Sequence, residues 1–357
     1  MSDPRPTPAS SEHAQPAVAA TTAAETARAQ LVGAVLLALR LGPLLILVLM
    51  IVLLANLSPV FFTPGNLGNV ITQSAAIAIL AMGQLLVILT RGIDLSVGST
   101  VALSAVVGAL VFGETQSGFA TILAMVFTGA LVGAVNGFGY VYGRLPHPFI
   151  VTLATLSIAR GLALGLAGGQ PVSGMPDIVT TIGGGSATWL APWFPNAAFL
   201  VAGVAIIVTL MLRNLVWGRW IYAVGGSPEG ARRLGVPRNR VVVSVYVMSG
   251  LLAGVAAIVT AGRLNAGSPT FGQLAELDAI AAVVIGGASF LGGRGNVGNA
   301  LIGALMIGVI RNGMNLLNVE AFLQLIVIGV VIFIAVESDV IRSRLEARFR
   351  VLKAASQ

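Results

Sequence analysis

Gly225-Gly226-Ser227-Pro228-Glu229-Gly230-Ala231-Arg232-Arg233-Leu234-Gly235-Val236-Pro237 lies within Leu212 to Val241, the longest polar interruption of an otherwise apolar chain. Ser227 can accept hydrogen bonds from the free N–H groups of a helix start. Pro228 suits the first helical position, where its missing donor costs nothing. Glu229 sits near the positive end of the helix dipole, and Arg232 and Arg233 sit near the negative end. Gly235 is a natural left-handed stop, and Pro237 prevents continuation. The stretch therefore predicts a short helix of two turns with sharp ends. Arg213, Arg219, Arg238 and Arg240 flank it, and apolar runs follow on both sides. Two readings are open: a protruding knob that docks a partner, or an amphipathic loop helix resting on lipid headgroups.

Working outward, the composition fixes the class. The chain has 357 residues, 56% hydrophobic and 9% charged, with a mean hydropathy of +0.94. Repeated long apolar runs at that composition define an all-α polytopic membrane protein. With no cysteine there are no disulfides and no thiolate metal sites. The net charge of +7 is explained by the excess of cytoplasmic arginine in membrane proteins, not by nucleic acid. Lys353 is the one lysine, so no glycine-rich loop ending in Lys-Ser/Thr exists, and the chain is not itself a P-loop ATPase.

Residues 1–30, rich in Ala, Thr, Pro and Glu, predict a disordered tail. The apolar run that follows starts late and more follow it, which excludes a cleaved signal peptide. Residues 31–340 read as one transmembrane domain with its cytoplasmic loop at 213–240, and residues 341–357 as a basic cytoplasmic tail. Leu31 to Arg40 reads as a surface-lying lead-in helix. At roughly 20 residues per crossing, about ten spans fit, near Leu41–Leu57, Val70–Thr90, Ser96–Phe112, Gly118–Val141, Phe149–Gly168, Ala197–Leu212, Val241–Ala261, Leu277–Phe290, Asn299–Leu317 and Phe322–Val336. The sixth, eighth and tenth are short for complete crossings. With both termini in the cytoplasm, 17 of the 20 basic residues fall inside. Only Arg263 falls in an outside loop, and Arg160 and Arg311 lie within spans. That bias supports an even number of spans.

The largest outside loop, Gly169 to Asn196, carries Trp189, Trp193 and Phe194, which suit either the interfacial aromatic belt or contact with a soluble partner. Gly129, Gly133 and Gly137, with Gly161/Gly165 and Gly250/Gly254, recur every four residues and predict close helix packing. Two glycine-flanked bends stand out. Arg91-Gly92-Ile93-Asp94-Leu95-Ser96-Val97-Gly98 joins the second and third spans, and Gly292-Gly293-Arg294-Gly295-Asn296-Val297-Gly298 joins the eighth and ninth. Gly92, Asp94, Ser96, Gly98, Gly292, Arg294 and Gly295 are candidate gate residues, though Asp94 or Ser96 also suits a helix cap. Arg160 and Arg311 are costly in hydrocarbon unless they face a cavity or a partner. With Asn136, Thr152, Thr155, Asn312 and Asn315 they are candidates for a translocation path. Each polar group could equally satisfy a neighbouring helix carbonyl. The carboxylates Asp94, Glu276 and Asp278 fall at span ends, so no proton or ion relay is visible. No metal-ligand cluster or nucleophile with a base is present either.

The set Gly92-Ile93-Asp94-Leu95-Ser96-Val97-Gly98, Pro148-Phe149-Ile150-Val151-Thr152-Leu153-Ala154-Thr155, the Gly225 to Gly235 segment, Val284-Ile285-Gly286-Gly287-Ala288-Ser289 and Gly292-Gly293-Arg294-Gly295 resembles the permease subunits of bacterial ABC importers of the ribose/xylose/galactose type. The resemblance covers roughly Pro59 to Val336. It implies an inner-membrane subunit that binds no cofactor itself. It further implies a second permease copy (identical or paralogous), cytoplasmic ATPase subunits that use ATP and Mg, and an external sugar-binding protein. Ser227, Glu229, Gly230, Ala231, Arg232, Arg233 and Gly235 would then form the helix that couples to the ATPase. Other cargoes fit the same architecture: nucleosides, a furanone signal sugar or branched-chain amino acids. A self-contained secondary carrier is the alternative of a different class.

Overall fold

The structure, a computed structural model, describes residues 43–337. The predicted tails at 1–30 and 341–357, and the lead-in helix, lie outside these residues. The helices are α1 (Pro43–Leu57), α2 (Pro64–Leu89), α3 (Val97–Thr115), α4 (Gly118–Tyr142), α5 (Pro148–Leu166), α6 (Asp177–Gly184), α7 (Ala197–Asn214), α8 (Val216–Gly226), α9 (Pro228–Arg233), α10 (Arg238–Leu264), α11 (Ala275–Ile285) and α12 (Val297–Leu316), then α13 (Ala321–Glu337). Strands β1 (Val172–Ser173) and β2 (Ala266–Gly267) pair antiparallel, Val172 opposite Gly267.

α2 and α10 are apolar on every side and form the centre; every residue of α2 from Ile77 to Leu89 is buried. A helix hydrophobic all round belongs in a core. α4 shows the other arrangement. Phe119, Leu123, Phe127, Leu131, Val135, Phe138 and Tyr142 are exposed along one side, the face left for lipid. Met125, Gly129, Gly133 and Gly137 are buried on the opposite side. There α4 meets α10 so closely that a methyl group at Gly129 would overlap the Gly250 carbonyl, and one at Gly250 would overlap that of Gly129. Without a hydrophobic drive between helices in lipid, such backbone approach supplies the packing energy. Gly161 and Gly165, expected to do the same, have open space beside them on α5.

Among the described residues, seven helices, α2, α3, α4, α5, α7, α10 and α12, are long and apolar enough to cross a membrane, and α1 and α13 are shorter apolar helices. The expected eighth span, Leu277–Phe290, is not one continuous membrane-length helix. α11 has 11 residues, a length of about 16 Å against about 30 Å of hydrocarbon. Before it, the chain runs back along α3: Gly267 packs on Ala105 and Gly272 on Gly98. After it comes a left-handed turn at Gly287. α11 is thus a half-helix preceded by a non-helical segment, an arrangement tolerated at membrane depth only where protein surrounds it.

Other departures are smaller. α10 extends past the expected Val241–Ala261 on both ends, which puts Arg263 in its last turn. The outer loop is not structureless. It holds β1, α6 and an isolated bridge between Ser186 and Pro195, and Trp189 stacks on Phe199 with ring centroids 5.6 Å apart. α9 has six residues, fewer than two turns. An unexpected helix, α8, precedes it.

Candidate functional site

α9 forms from the signals in its sequence. The Ser227 Oγ accepts from the Gly230 N–H at 3.1 Å, and Pro228 begins the helix. Glu229 pairs with Arg232 at 3.2 Å and with Arg233 at 3.3 Å. These exposed pairs add well under about 1 kcal/mol. At the far end Gly235 takes φ +77°. Its N–H donates to Arg232 O, and the Val236 N–H donates to Ala231 O, the Schellman closure. Only Ala231 is buried, while Leu234 is 84% exposed at the tip. α9 projects from the bundle with an apolar point and basic sides.

The root of α9 meets both glycine bends. α2 closes in a second Schellman motif: the Arg91 N–H donates to Ile88 O and the Gly92 N–H to Val87 O. The left-handed position, usually glycine, is Arg91 at φ 66°, at a cost of about 1 kcal/mol. Its Nε donates to Gly225 O at 2.6 Å and its Nη2 to Gly226 O at 2.9 Å. These carbonyls end α8, where no intrahelical donor remains. From the second bend, the Gly293 N–H donates to Leu89 O at 2.9 Å, and Gly292 lies under the Arg91 Cγ. The Tyr222 hydroxyl of α8 donates to Gly295 O at 2.9 Å. Burial pushes the Tyr222 phenol up, against an opposing pull from Arg213, so it stays a protonated donor. Arg294 closes its own bend through its carbonyl, which accepts from the Ser289 N–H at 3.0 Å.

The first bend also gathers polar side chains from three helices. Asp94, fully enclosed, accepts from the Ser96 N–H at 3.0 Å, the Ser96 hydroxyl at 2.7 Å and the Ser249 hydroxyl at 3.1 Å. The Asn136 Nδ2 donates to Ser96 Oγ at 2.7 Å, and the Thr155 hydroxyl donates to Asn136 Oδ1 at 2.5 Å. The Thr152 and Tyr246 hydroxyls reach Ile93 O, each at 3.4 Å. Asp94, Ser96, Asn136, Thr152 and Thr155 are therefore one buried network. Gly98 closes it by packing on Gly272 and Glu276.

The other path candidates lie apart from that network. The Arg160 Nη1 holds the non-helical segment before α11 by the carbonyls of Pro269 and Phe271. The Arg311 Nη2 pairs with both carboxylate oxygens of Asp278, at 2.7 and 2.9 Å, and so ties α12 to α11. Asn312 and Asn66 exchange amide hydrogen bonds at 2.8 and 3.1 Å between α12 and α2. Asn315 accepts from the Gln324 amide of α13 at 2.9 Å. Asn66, Ser249, Tyr222 and Tyr246 were not singled out by the sequence. The one signal for Asn66 and Ser249 is a polar residue inside an apolar helix.

A bundle of membrane-crossing helices with a half-helix buried inside it and a capped knob on its basic side defines a multi-pass transport protein of the inner membrane. The family described as branched-chain amino acid transport system / permease component matches residues 66–336, and the chain belongs to it. It is similar to the ribose import permease protein RbsC of Escherichia coli strain K12, 39% identical over 83% of this chain and 92% of that protein. It is likewise similar to that of Bacillus subtilis strain 168, 41% identical over 84% and 92%. The D-allose transport system permease protein AlsC of Escherichia coli is 35% identical over 84% and 90%. No solved structure matches.

Proposed function

We propose that the chain is the membrane-spanning subunit of an ATP-binding cassette importer for a monosaccharide. In this reading a second permease copy completes the path, an external binding protein delivers the sugar, and separate cytoplasmic subunits hydrolyse ATP with Mg. Relatives that import ribose and allose along most of their length support the cargo class. The observation that carries the mechanism is α9, a capped helix with an 84% exposed leucine at its tip. A knob whose caps fix its shape before contact docks at a lower ordering cost than a loose loop.

The charged residues favour a neutral solute over an amino acid. A side-chain cation that meets a solute carboxylate does so through free guanidinium or ammonium donors. Arg311 is already neutralised by Asp278, and Arg160 is engaged by two carbonyls.

Glu229→Trp tests the role of α9. In the complete complex in proteoliposomes, the variant is expected to insert normally and to lose the stimulation of ATP hydrolysis by loaded binding protein. Normal transport by Glu229→Trp removes α9 from the mechanism.

A further inference from the structure

α8 ends in two carbonyls, Gly225 O and Gly226 O, immediately before the N-cap of α9. Their donors come from 134 and 135 residues away, on the single Arg91 side chain. A guanidinium is a planar fork that holds two acceptors in fixed geometry and suits the negative end of a helix. The backbone position that carries it is left-handed, where glycine would fit without strain. Arginine there is explained by its side chain and not by the turn. The same side chain roofs Gly292, whose neighbour Gly293 bonds to Leu89 O. Gly225 has no room for a methyl group against Leu89 and Gly293. The end of α2, the root of α9 and the α11–α12 bend therefore meet in one tight junction with Arg91 through its centre.

We propose that Arg91 is the positioning residue that locks the root of α9 to both cytoplasmic bends, so that displacement of α9 moves the α2–α3 and α11–α12 turns together. The Tyr222 hydroxyl on Gly295 O is the second tie of the same lock. The first bend leads directly to Asp94, its links to α4 and α10 and, through Asn136, to Thr155 of α5, and the second to α12. Movement at the knob thus reaches the helices around the interior by way of one side chain. The proposal rests on the reading of α9 as the coupling helix.

The test uses the full complex, with ATPase and binding protein, in proteoliposomes, and measures solute imported per ATP hydrolysed. Arg91→Gln is expected to keep the ATPase bound and hydrolysing within about two-fold of the parent while import per ATP falls about ten-fold, the scale of losing charged hydrogen bonds. Arg91→Lys keeps the charge without the fork and is expected to fall between them. Tyr222→Phe removes one hydroxyl and no packing, and is expected to lower the ratio about three-fold. Hydrolysis and import falling in equal proportion, with the ratio unchanged, marks a merely structural role and overturns the proposal. If Arg91→Gln does not insert, Arg91→Lys and Tyr222→Phe decide: an unchanged ratio in both overturns it. Normal transport by Glu229→Trp instead removes the coupling reading itself, whatever Arg91 does.

Discussion

Asp278 and Arg311 place opposite charges 2.7 Å apart among apolar helices. Such a pair contributes little net stability, because removing two ions from water offsets most of their attraction. Breaking it is different, since one charge is then stranded. Asp278→Asn is expected to cost about 3–5 kcal/mol, read as a lower thermal midpoint of the detergent-purified chain. Asp278→Asn with Arg311→Met removes both charges and is expected to be more stable than Asp278→Asn alone. A double variant no better than the single would show that the pair is not what holds α11 to α12. Asp94 follows a second logic. Its carboxylate accepts from one amide and two hydroxyls. Asp94→Ala strands those donors at about 1–3 kcal/mol for each left unsatisfied. Asp94→Asn keeps one acceptor oxygen and is expected to lose less in the same unfolding measurement. Asp94→Ala as stable as the parent would mean that water or relaxation replaces the network.

At the scale of the element, the contact of α4 with α10 sets a sharp contrast. Gly250→Leu drives a side chain into the Gly129 carbonyl and the Gly133 backbone. Backbone cannot give way as a flexible side chain can, so the variant is expected to lose most of its monodisperse material on size exclusion. Gly161→Ala meets open space and is expected to elute as the parent does. The same four-residue spacing therefore means different things on different helices, and only the neighbour decides. This is also where the sequence was legible and where it was not. The ends of α9, though not its length, could be read because its cap, proline, charges and closing glycine are local signals. α8 was missed because at 11 residues it is too short to read as a span, although Gly218, Ile221, Val224 and Gly225 recur at helical spacing on its buried face. Leu277–Phe290 reads as one continuous helix because hydropathy reports apolarity and not the path of the backbone; the left-handed Gly287 that follows α11 looks like any small residue.

For the whole molecule, the arginine bias and the apolar runs were enough to give the class of fold, while the polar groups could be found but not paired. Ser249 lies 155 residues from Asp94, and Asn312 lies 246 from Asn66, so no local pattern joins them. Pairing changes what these groups can do. A self-contained ion-coupled carrier binds its coupling ion with buried ionisable groups or with the carbonyls of broken helices. Among the described residues, Asp278 is tied to Arg311, Asp94 to hydroxyls and an amide, and Glu276 lies buried within the field of Arg160. The sequence has no phosphate-binding loop, so in the proposed reading the energy for uphill movement enters through the knob. The purified chain reconstituted alone is expected to show no concentrative uptake of a pentose or hexose under an imposed proton or sodium gradient. Adding ATPase, binding protein and ATP to the same vesicles is expected to start it. Uptake against a gradient by the chain alone would place the driving force inside the bundle and leave α9 without its role.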